Sequence, residues 1–451
     1  MFRYRTKPID NEIYYQYNRR KPSCGRTTVK SRPLVIVAVS FGIFIGTYDI
    51  AAIAVALPRI LKVWHPAPLG LTLLTSSTFV GMIAGSLVAG LLADHWGRRV
   101  VLLLDFAAYG VAGAVSALSP DLTFLTISRL IVGLGIGADY AVVFPYLVEY
   151  LQPERRGRIM AWALWAANFG MLVAYALGAL TLTSPNGWRI PLAIGALLVV
   201  PLLWLRRSLP ESTLWKSHRM SSLRQTFTSF RSRRLWRPLL WSSIIWLSYQ
   251  VSDQGLSLFL PLMLVTMFNS TVATAAWHSV LVKAITIPAA LLTVITIERW
   301  GRRPLQILGF WGRGISLVLL GFILWLPSSS ALSMSQNSWV AWSLLAIAYA
   351  AGAWGPDKTT VITAAEQAST EVRASTQAVS EASGRFGGLI GVVGYSLLAS
   401  WYGAAAGLMF FGIMAVVGAI ISQVTLPETR GRKPMSFTDS MRSPIPSEEH
   451  P

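Results

Sequence analysis

The segment with the most unusual composition is residues 129–158, RLIVGLGIGADYAVVFPYLVEYLQPERRGR. It is apolar over the length of a membrane-spanning helix, yet Asp139 lies in its middle. An ionisable side chain inside a membrane helix is costly and usually serves a function. The glycines at 133, 135 and 137 allow another helix to approach closely, and the basic residues at the end predict a cytoplasmic boundary. The segment therefore predicts a transmembrane helix with a functional acid.

The composition of the whole chain is that of a membrane protein. Of its 451 residues, 53% are hydrophobic and only 13% are charged, which is more apolar than a soluble chain of this size. A net charge of +19 could indicate a nucleic-acid partner, but the basic residues lie in short segments between apolar runs, so we expect none. The single cysteine, Cys24, cannot form an internal disulfide, so the fold must depend on helix packing.

Apolar runs of about 20 residues, the length needed to cross the hydrocarbon core, recur along the chain. They predict twelve transmembrane helices, at 34–58, 71–93, 100–119, 122–148, 159–182, 189–206, 238–267, 274–297, 304–327, 338–363, 376–400 and 404–426. Residues 1–33 carry nine Lys or Arg and two acids, without an apolar run long enough for a signal peptide. We expect a disordered basic cytoplasmic tail there.

The distribution of basic residues predicts the orientation and the domains. A polar segment with nine Lys or Arg, residues 206–237, separates helices six and seven. With the N-terminus inside, the tails and inner loops hold 31 of the 39 Lys and Arg, so the positive-inside rule places both termini in the cytoplasm. The expected domains are a six-helix bundle at 34–207, a basic cytoplasmic loop at 208–237, a second six-helix bundle at 238–426 and a cytoplasmic tail at 427–451.

The two halves repeat each other in sequence. DHWGRR begins at Asp94 and ERWGRR at Glu298, 204 residues later, and Asp49 and Asp253 have the same spacing. Two acids in register within a repeat predict related bundles with a site at their interface, which is the plan of an alternating-access transporter. The predicted fold class is an all-α membrane protein with twelve transmembrane helices in two pseudo-symmetric six-helix bundles.

Several motifs resemble signatures of the major facilitator superfamily, in its sugar-porter-like group. They are GLLADHWGRR at 90–99, ERWGRR at 298–303, PERRGR at 153–158, LPES at 209–212 and LPETRGR at 426–432. The resemblance covers residues 34–432 and implies the fold of that superfamily. An acid followed by an arginine pair can cap a helix end and bridge to a neighbouring helix, as a latch between the cytoplasmic ends of the halves. The predicted gating residues are Asp94, Arg98, Arg99, Glu298, Arg302 and Arg303.

Charged residues also fall inside the predicted spans. They are the acids Asp49, Asp139, Asp253 and Asp357 and the bases Arg129, Lys283, Lys358 and Arg385. A central charge costs roughly 2.5–3.5 kcal/mol, so we expect these groups to be paired, protonated or hydrated in a cavity. By contrast, Asp105 and Arg313 lie nearer helix ends, where snorkelling to the interface is expected.

Helix seven shows the expected cavity face most clearly. Tyr249, Asp253 and Ser257 are four residues apart, with Trp246 one turn earlier, so the four side chains share one side of the helix. Aromatic surface mixed with polar groups is typical of small-molecule sites. We therefore predict that Trp246, Tyr249 and Asp253 contact the substrate.

The pattern of acids is similar to that of the phosphate:proton symporters of this superfamily. The shared features are an acid in helix one, GIGADY at 135–140, an acid in helix seven, and SEASGRFGG at 380–388, where an arginine replaces that group's lysine. The resemblance implies that Asp139, Tyr140 and Asp253 bind substrate or couple it to protons, that Asp49 lies on the proton pathway and that Arg385 binds the anion. Arg129 resembles the helix-four arginine of proton-coupled members and is predicted to take part in coupling.

Helix ten departs from that family. In GPDKTT at 355–360, Asp357 stands where the family has a neutral Asn, and Lys358 is added; we include Asp357 in the predicted substrate-binding set. Glu381 lies one turn before Arg385 and could satisfy it without a ligand. The paired Gln motif expected of sugar transporters is absent from helix seven, where Gln250 follows a tyrosine.

These features predict a secondary active transporter that moves a small anion, such as inorganic phosphate, together with protons. Organic acids remain an alternative because arginine recognises carboxylate and phosphate equally well, and so do sugar symport and drug export. The five histidines have no metal-binding spacing and no HExxH motif occurs, so we expect no enzyme, no metal site and no cofactor. The expected partners are the solute, protons and the lipid bilayer, and we expect a monomer in the cell membrane.

Overall fold

The computed structural model describes residues 31–151, 153–181, 184, 186–212, 215–216, 233–268, 272–326, 338–367 and 373–430. Most of the two predicted tails and most of the predicted loop at 208–237 lie outside these residues, so the proposed domain boundaries stay predictions. Within the described residues the chain is helical and contains no strand.

Thirteen helices make up most of the described residues. They are α1 (Ser31–Trp64), α2 (Pro68–Trp96), α3 (Arg98–Ala117), α4 (Leu122–Tyr150), α5 (Pro153–Thr181), α6 (Arg189–Arg207), α7 (Arg233–Phe268), α8 (Val272–Trp300), α9 (Arg302–Trp325), α10 (Ser338–Trp354), α11 (Pro356–Gln367), α12 (Arg373–Tyr402) and α13 (Ala404–Thr425). Among the described residues, nine helices are long and apolar enough to cross a membrane. Each of the twelve predicted spans falls on a helix, with α10 and α11 sharing the tenth, which confirms the predicted fold class.

The tenth span differs in detail from the prediction, which placed one helix over 338–363. The helix ends at Trp354 and resumes at Pro356, with Gly355 between α10 and α11. Proline has no N–H to donate, and its ring opposes a continuous helix. The break brings Asp357 into the first turn of α11.

Helix packing follows the sequence repeat. In the first half α1 packs on α5 and α3 on α6; in the second half α7 packs on α12 and α9 on α13. Between the halves, the main contacts run through α2 with α12 and through α5 with α8. The indole N–H of Trp165 in α5 donates to the Ile287 carbonyl oxygen in α8 at 3.0 Å. The halves therefore meet along two helix pairs that the repeat relates to each other.

Glycines on α4 produce the close packing expected for residues 129–158. Gly133 faces Gly81 of α2, and a Cβ built on it would lie 3.1 Å from the Gly81 Cα and would collide with the Thr78 carbonyl group. Gly135 faces α3, where a Cβ would lie 2.8 Å from the Asp105 carbonyl oxygen. α4 is therefore held between α2 and α3 by close backbone contact, as the sequence predicts.

Gly133→Ala is expected to lower the thermal unfolding temperature in detergent. Alanine is normally favoured over glycine in a helix by about 1 kcal/mol, but here its methyl group would push against the Thr78 backbone. Gly113→Ala is the matched control, because a Cβ there would make ordinary contact with Ala196 at 3.4 Å. Unfolding followed by tryptophan fluorescence should show a lower midpoint for Gly133→Ala only; equal midpoints would contradict the packing argument.

Candidate functional site

A cavity of about 60 Å³ lies between the two halves. Helices α1, α4 and α5 of the first half and α7, α8, α10, α11 and α12 of the second half form its wall. All the charged side chains on this wall come from the second half. They are Asp253, Lys283, Asp357, Lys358 and Arg385.

The remaining wall is aromatic and amide-rich. The rings of Trp246 and Tyr249 stack with their centroids 5.6 Å apart. Across the interface, the Arg385 guanidinium lies over the Tyr140 ring, 4.8 Å from its centroid. Gln250 and Gln254 also line the cavity. Sequence reasoning did not single out Gln254, although its position one turn after Gln250 places both amides on one helix face.

Asp253 is held by Arg313 of α9. A guanidinium nitrogen lies 3.1 Å from the Asp253 carboxylate, and Arg313 also donates to the Ser252 hydroxyl at 2.9 Å and to the Ser252 carbonyl oxygen at 3.0 Å. The Arg313 side chain is fully buried. The expectation that Arg313 snorkels to the interface is therefore wrong, because a carboxylate on the adjacent α7 gives the guanidinium an interior partner.

Two further ion pairs lie at the wall. Lys358 pairs with Asp357, its neighbour in α11. Arg385 lies 3.6 Å from Glu381, one turn earlier in α12, so the local pair expected from the sequence is present. Glu381 also accepts a hydrogen bond from the Trp246 indole at 3.3 Å. The candidate anion partner is therefore connected through Glu381 to the aromatic face of α7.

Lys283 of α8 differs from the other charged residues on the wall. Its ammonium donates to the Ser257 hydroxyl at 2.8 Å and lies 4.7 Å from the centroid of the Tyr349 ring. No carboxylate oxygen of a described residue lies within 4.0 Å of the Lys283 ammonium nitrogen. With 4% of its surface exposed, it is a buried cation facing a cavity without an anionic partner.

Asp49 lies off the cavity wall, in the interior of the first half. It forms an ion pair with Arg129 of α4, and both side chains are buried. The second Asp49 oxygen, Oδ1, makes no hydrogen bond to the described residues. Its counterpart in the repeat, Asp253, is also paired with an arginine, but Arg313 comes from α9, the counterpart of α3 and not of α4.

Asp139 also lies off the wall, although its neighbour Tyr140 is on it. The Asp139 carboxylate accepts a hydrogen bond from Arg206 of α6 at 2.6 Å, and the same guanidinium donates to the Leu102 carbonyl oxygen at 2.8 Å and lies 3.5 Å from Asp105. These three charged side chains are buried. The expectations that Asp105 snorkels and that Arg206 begins the polar loop are wrong, because the two acids give the guanidinium interior partners.

Two sharp joints mark one end of the bundle, which we call the gate end. Gly97, between α2 and α3, has a φ of 108°, and Gly301, between α8 and α9, has a φ of 89°, both in the region that favours glycine. Glu211 accepts from the first N–H of α3 at 3.0 Å, and Glu428 from the first N–H of α9 at 3.1 Å. These glutamates belong to the motifs LPES and LPET, from which no role was predicted for them.

The gating residues of the first half meet at this end. Arg98 lies 2.9 Å from both Asp94 and Glu149. Across the interface, Asp94 accepts a hydrogen bond from the Ser375 backbone N–H at 2.8 Å, and Glu149 lies 3.4 Å from Arg373. The latch predicted from Asp94 and Arg98 therefore has a third member, Glu149, and it contacts the start of α12.

The second half repeats this arrangement. Arg302 lies 2.9 Å from Glu298 and 3.2 Å from Glu366. Glu298 accepts from the Arg158 backbone N–H in the first half at 3.0 Å. Glu366 stands 217 residues after Glu149. Neither Glu149 nor Glu366 was predicted from the sequence, although their spacing of 217 residues relates them in the repeat.

Arg99 and Arg303 act within each half. The Arg99 guanidinium donates to the Arg207 carbonyl oxygen at 2.5 Å, and the Arg303 guanidinium donates to the Gln423 carbonyl oxygen at 2.8 Å. These bonds connect α3 to the end of α6 and α9 to the end of α13. Both arginines therefore brace a half at the gate end, and these hydrogen bonds do not cross the interface.

Glu149→Gln is expected to open the gate end. Neutralising this carboxylate weakens its pairing with Arg98 and with Arg373, the second of which crosses the interface. Spin labels at Val100 of α3 and Leu308 of α9, both exposed, report the distance between the halves. Pulsed dipolar spectroscopy should show a longer mean distance, because the closed gate loses a cross-half ion pair.

This distance measurement uses a Cys24→Ser background to remove the natural cysteine. Glu211→Gln is the matched control, since its hydrogen bonds cap α3 within one half. Widening in both variants, or in neither, would contradict the assignment of Glu149 to the gate.

The two halves, the cavity between them and the ion-pair clusters repeated at one end together define a membrane-spanning transporter. The model of the Major Facilitator Superfamily matches residues 39–310, and that of the sugar (and other) transporters matches residues 216–439. The first match covers more than half of the chain, so the chain belongs to the Major Facilitator Superfamily. This confirms the superfamily resemblance and the expectation that the chain is not an enzyme.

The names of individual relatives give different transported solutes. The putative niacin/nicotinamide transporter NiaP of Bacillus subtilis strain 168 is 27% identical, over 80% of this chain and 87% of the relative. The probable inorganic phosphate transporter 1-9 of Arabidopsis thaliana is 24% identical, over 88% of this chain and 91% of the relative. Among solved structures, the proton:xylose symporter XylE of E. coli with bound 6-bromo-6-deoxy-D-glucose superposes with a TM-score of 0.78 at 18% identity, covering 90% and 98%. That likeness concerns the fold.

Proposed function

We propose that this chain transports a small anion together with protons by alternating access. The observation that carries the proposal is the unpaired cation on the cavity wall. Asp253, Asp357 and Arg385 each have a partner of opposite charge, whereas Lys283 faces the cavity with a hydroxyl as its hydrogen-bond partner. An uncompensated ammonium inside a membrane is costly, and an anionic ligand would supply the missing charge.

Alternating access is supported by the contacts between the halves. The cavity lies between them, and the gate end is closed by the cross-half contacts of Asp94, Glu149 and Glu298. These contacts join α12 to the ends of α2 and α4, and α5 to the end of α8. Rocking the halves about the cavity would separate them and open that end. We propose that this end faces the cytoplasm, in agreement with the basic segments near both termini, and that the chain works as a monomer in the cell membrane.

Proton coupling is assigned to the first half. Asp49 and Arg129 form a buried ion pair beside the cavity, and Asp49 keeps one oxygen without a hydrogen bond to the described residues. Protonation of Asp49 would remove its negative charge and weaken its ion pair with Arg129. The Arg129 guanidinium could then pair with another acceptor. Asp139 is a second candidate, because its pairing with Arg206 is shared with Asp105. Each pair has one member on α4, Arg129 or Asp139, and α4 runs from the cavity to the gate end.

Two anion classes suit the cavity. Inorganic phosphate is favoured by Tyr140, Asp253 and Arg385, which all line the wall as the resemblance to phosphate:proton symporters implies, and by the Arabidopsis relative. An organic acid is favoured by the stacked rings of Trp246 and Tyr249, and by the Bacillus relative. Sugar transport has weaker support, from Gln250 and Gln254 on the wall and from the fold of XylE.

Uptake into sealed proteoliposomes tests the proposed function directly. An imposed inward proton gradient should drive accumulation of one labelled anion from a panel of phosphate, sulfate, benzoate and a hexose. Collapse of the gradient with a protonophore should abolish accumulation, because the proton supplies the free energy. Accumulation of the hexose alone, passage without accumulation, or outward movement of added drugs would each overturn symport of an anion.

Asp139→Asn is expected to abolish gradient-driven uptake while leaving anion exchange and folding largely intact. The fold should tolerate the change, because Arg206 keeps Asp105 as a carboxylate partner. Asp49→Asn is expected to behave in the same way for driven uptake. The measurement compares driven uptake with exchange of preloaded anion in proteoliposomes.

Asp121→Asn is the matched control for these variants. Asp121 caps α4 by accepting from the Phe124 N–H at 2.8 Å, and asparagine caps helices equally well, so driven uptake should be retained. Full driven uptake by Asp139→Asn would show that Asp139 takes no part in proton coupling. Full driven uptake by Asp49→Asn as well would refute proton coupling through the first half.

A further inference from the structure

A second cavity, of about 40 Å³, adjoins the first between the halves. The two cavities share Ile50, Met171 and Gln254 on their walls. The second is lined largely by aliphatic side chains of α1 and α2 with Phe79, and none of its described wall residues carries a charge. A polar, charged chamber and an apolar chamber thus lie side by side in the region between the halves.

Lys283 lies at the junction of these chambers. Its side chain lines the first cavity, while its hydrogen-bond acceptor, the Ser257 hydroxyl, belongs to a residue that lines the second. Ser257 is fixed across the interface, because its carbonyl oxygen accepts from the Tyr175 hydroxyl of α5 at 3.2 Å. The unpaired ammonium is therefore positioned where a ligand could extend from the charged chamber into the apolar one.

A second donor points to a ligand at the same place. Tyr349 packs against Lys283, is 2% exposed and lines the first cavity. Its hydroxyl makes no hydrogen bond of ordinary distance and angle within the described part of the chain, and the Ser257 hydroxyl near it already accepts from Lys283. A buried hydroxyl without a partner is unfavourable, and the two oxygens of a carboxylate could accept from both Tyr349 and Lys283.

We infer that Lys283 binds the carboxylate of a small monocarboxylate whose apolar body extends from the first cavity into the second, an assignment that rests on the anion transport proposed above. The ligand replaces Ser257 as the acceptor of the ammonium and supplies the one negative charge that the wall lacks. Inorganic phosphate could meet the ammonium but has no apolar body to fill the second cavity. Lys283 is then the residue that distinguishes an acid from its neutral amide.

Equilibrium binding to the purified full-length protein tests this assignment. Benzoate and benzamide share the ring and differ in charge, and isothermal titration calorimetry measures the affinity of each. The wild-type protein should bind benzoate more tightly than benzamide by about tenfold to a hundredfold, the range of a hydrogen bond to a charged group. Lys283→Gln should weaken benzoate by that factor and leave benzamide nearly unchanged, which removes the preference.

Conservative variants control for damage to the fold. Lys283→Arg keeps the positive charge and should keep the preference for benzoate, and Ser257→Ala removes only the competing acceptor and should keep it too. Ala54→Phe fills the second cavity and should weaken benzoate while leaving the wall around Lys283 intact. A wild-type protein that shows no preference for benzoate, a Lys283→Gln variant that keeps it, or unchanged benzoate binding in Ala54→Phe would overturn the inference.

The same measurements separate this inference from the proposed function. If phosphate accumulates in a proton gradient and benzoate does not bind, anion symport stands and the monocarboxylate assignment fails. If benzoate binds through Lys283 but a proton gradient drives no anion into proteoliposomes, the assignment stands and symport fails.

Discussion

The cost of an uncompensated charge in a medium of low dielectric constant governs this structure. A central charge costs roughly 2.5–3.5 kcal/mol in a membrane helix, and most of the described interior charges are accordingly paired, some across helices and some within one helix. Asp253 takes Arg313 from α9, Asp139 takes Arg206 from α6, and these partners come from positions that sequence alone assigned to helix ends. Lys283 is the exception on the cavity wall, and this exception is the basis for proposing an anionic solute.

The two halves preserve the gate of the repeat but differ at the site. Glu149 and Glu366 each pair with the arginine that follows the glycine joint of their own half, so the gate ends match. Asp49 and Asp253 share the repeat spacing, yet Asp49 is withdrawn into the first half whereas Asp253 lies on the wall. The charged side chains that the described residues contribute to the cavity wall all belong to the second half. This asymmetry is the basis for assigning proton coupling to the first half.

The sequence predicted most of the fold and the outline of the gate, because helix length, basic loops and repeated motifs are local signals. It could not predict ion-pair partners that lie far apart in the sequence. Arg206 is 67 positions from Asp139, and it ends an apolar run in front of a basic loop, so its composition resembles a boundary. Asp139 and Tyr140 are adjacent in sequence, but successive residues of a helix face different directions, so one meets Arg206 and the other the cavity. Gly355 and Pro356 marked the break before α11, but the predicted span at 338–363 ran across them.

α4 and α12 connect the site to the gate. Arg385 lies over Tyr140 at the cavity, and Arg373 pairs with Glu149 at the gate end, so the same two helices touch at two levels. At 1.5 Å per residue the levels are about 14 Å apart on α4 and about 18 Å apart on α12. A packed helix transmits a displacement along its length. Under the proposed mechanism, an anion that drew Arg385 away from Tyr140 would change the spacing of two helices whose other contact is the ion pair of Glu149 and Arg373.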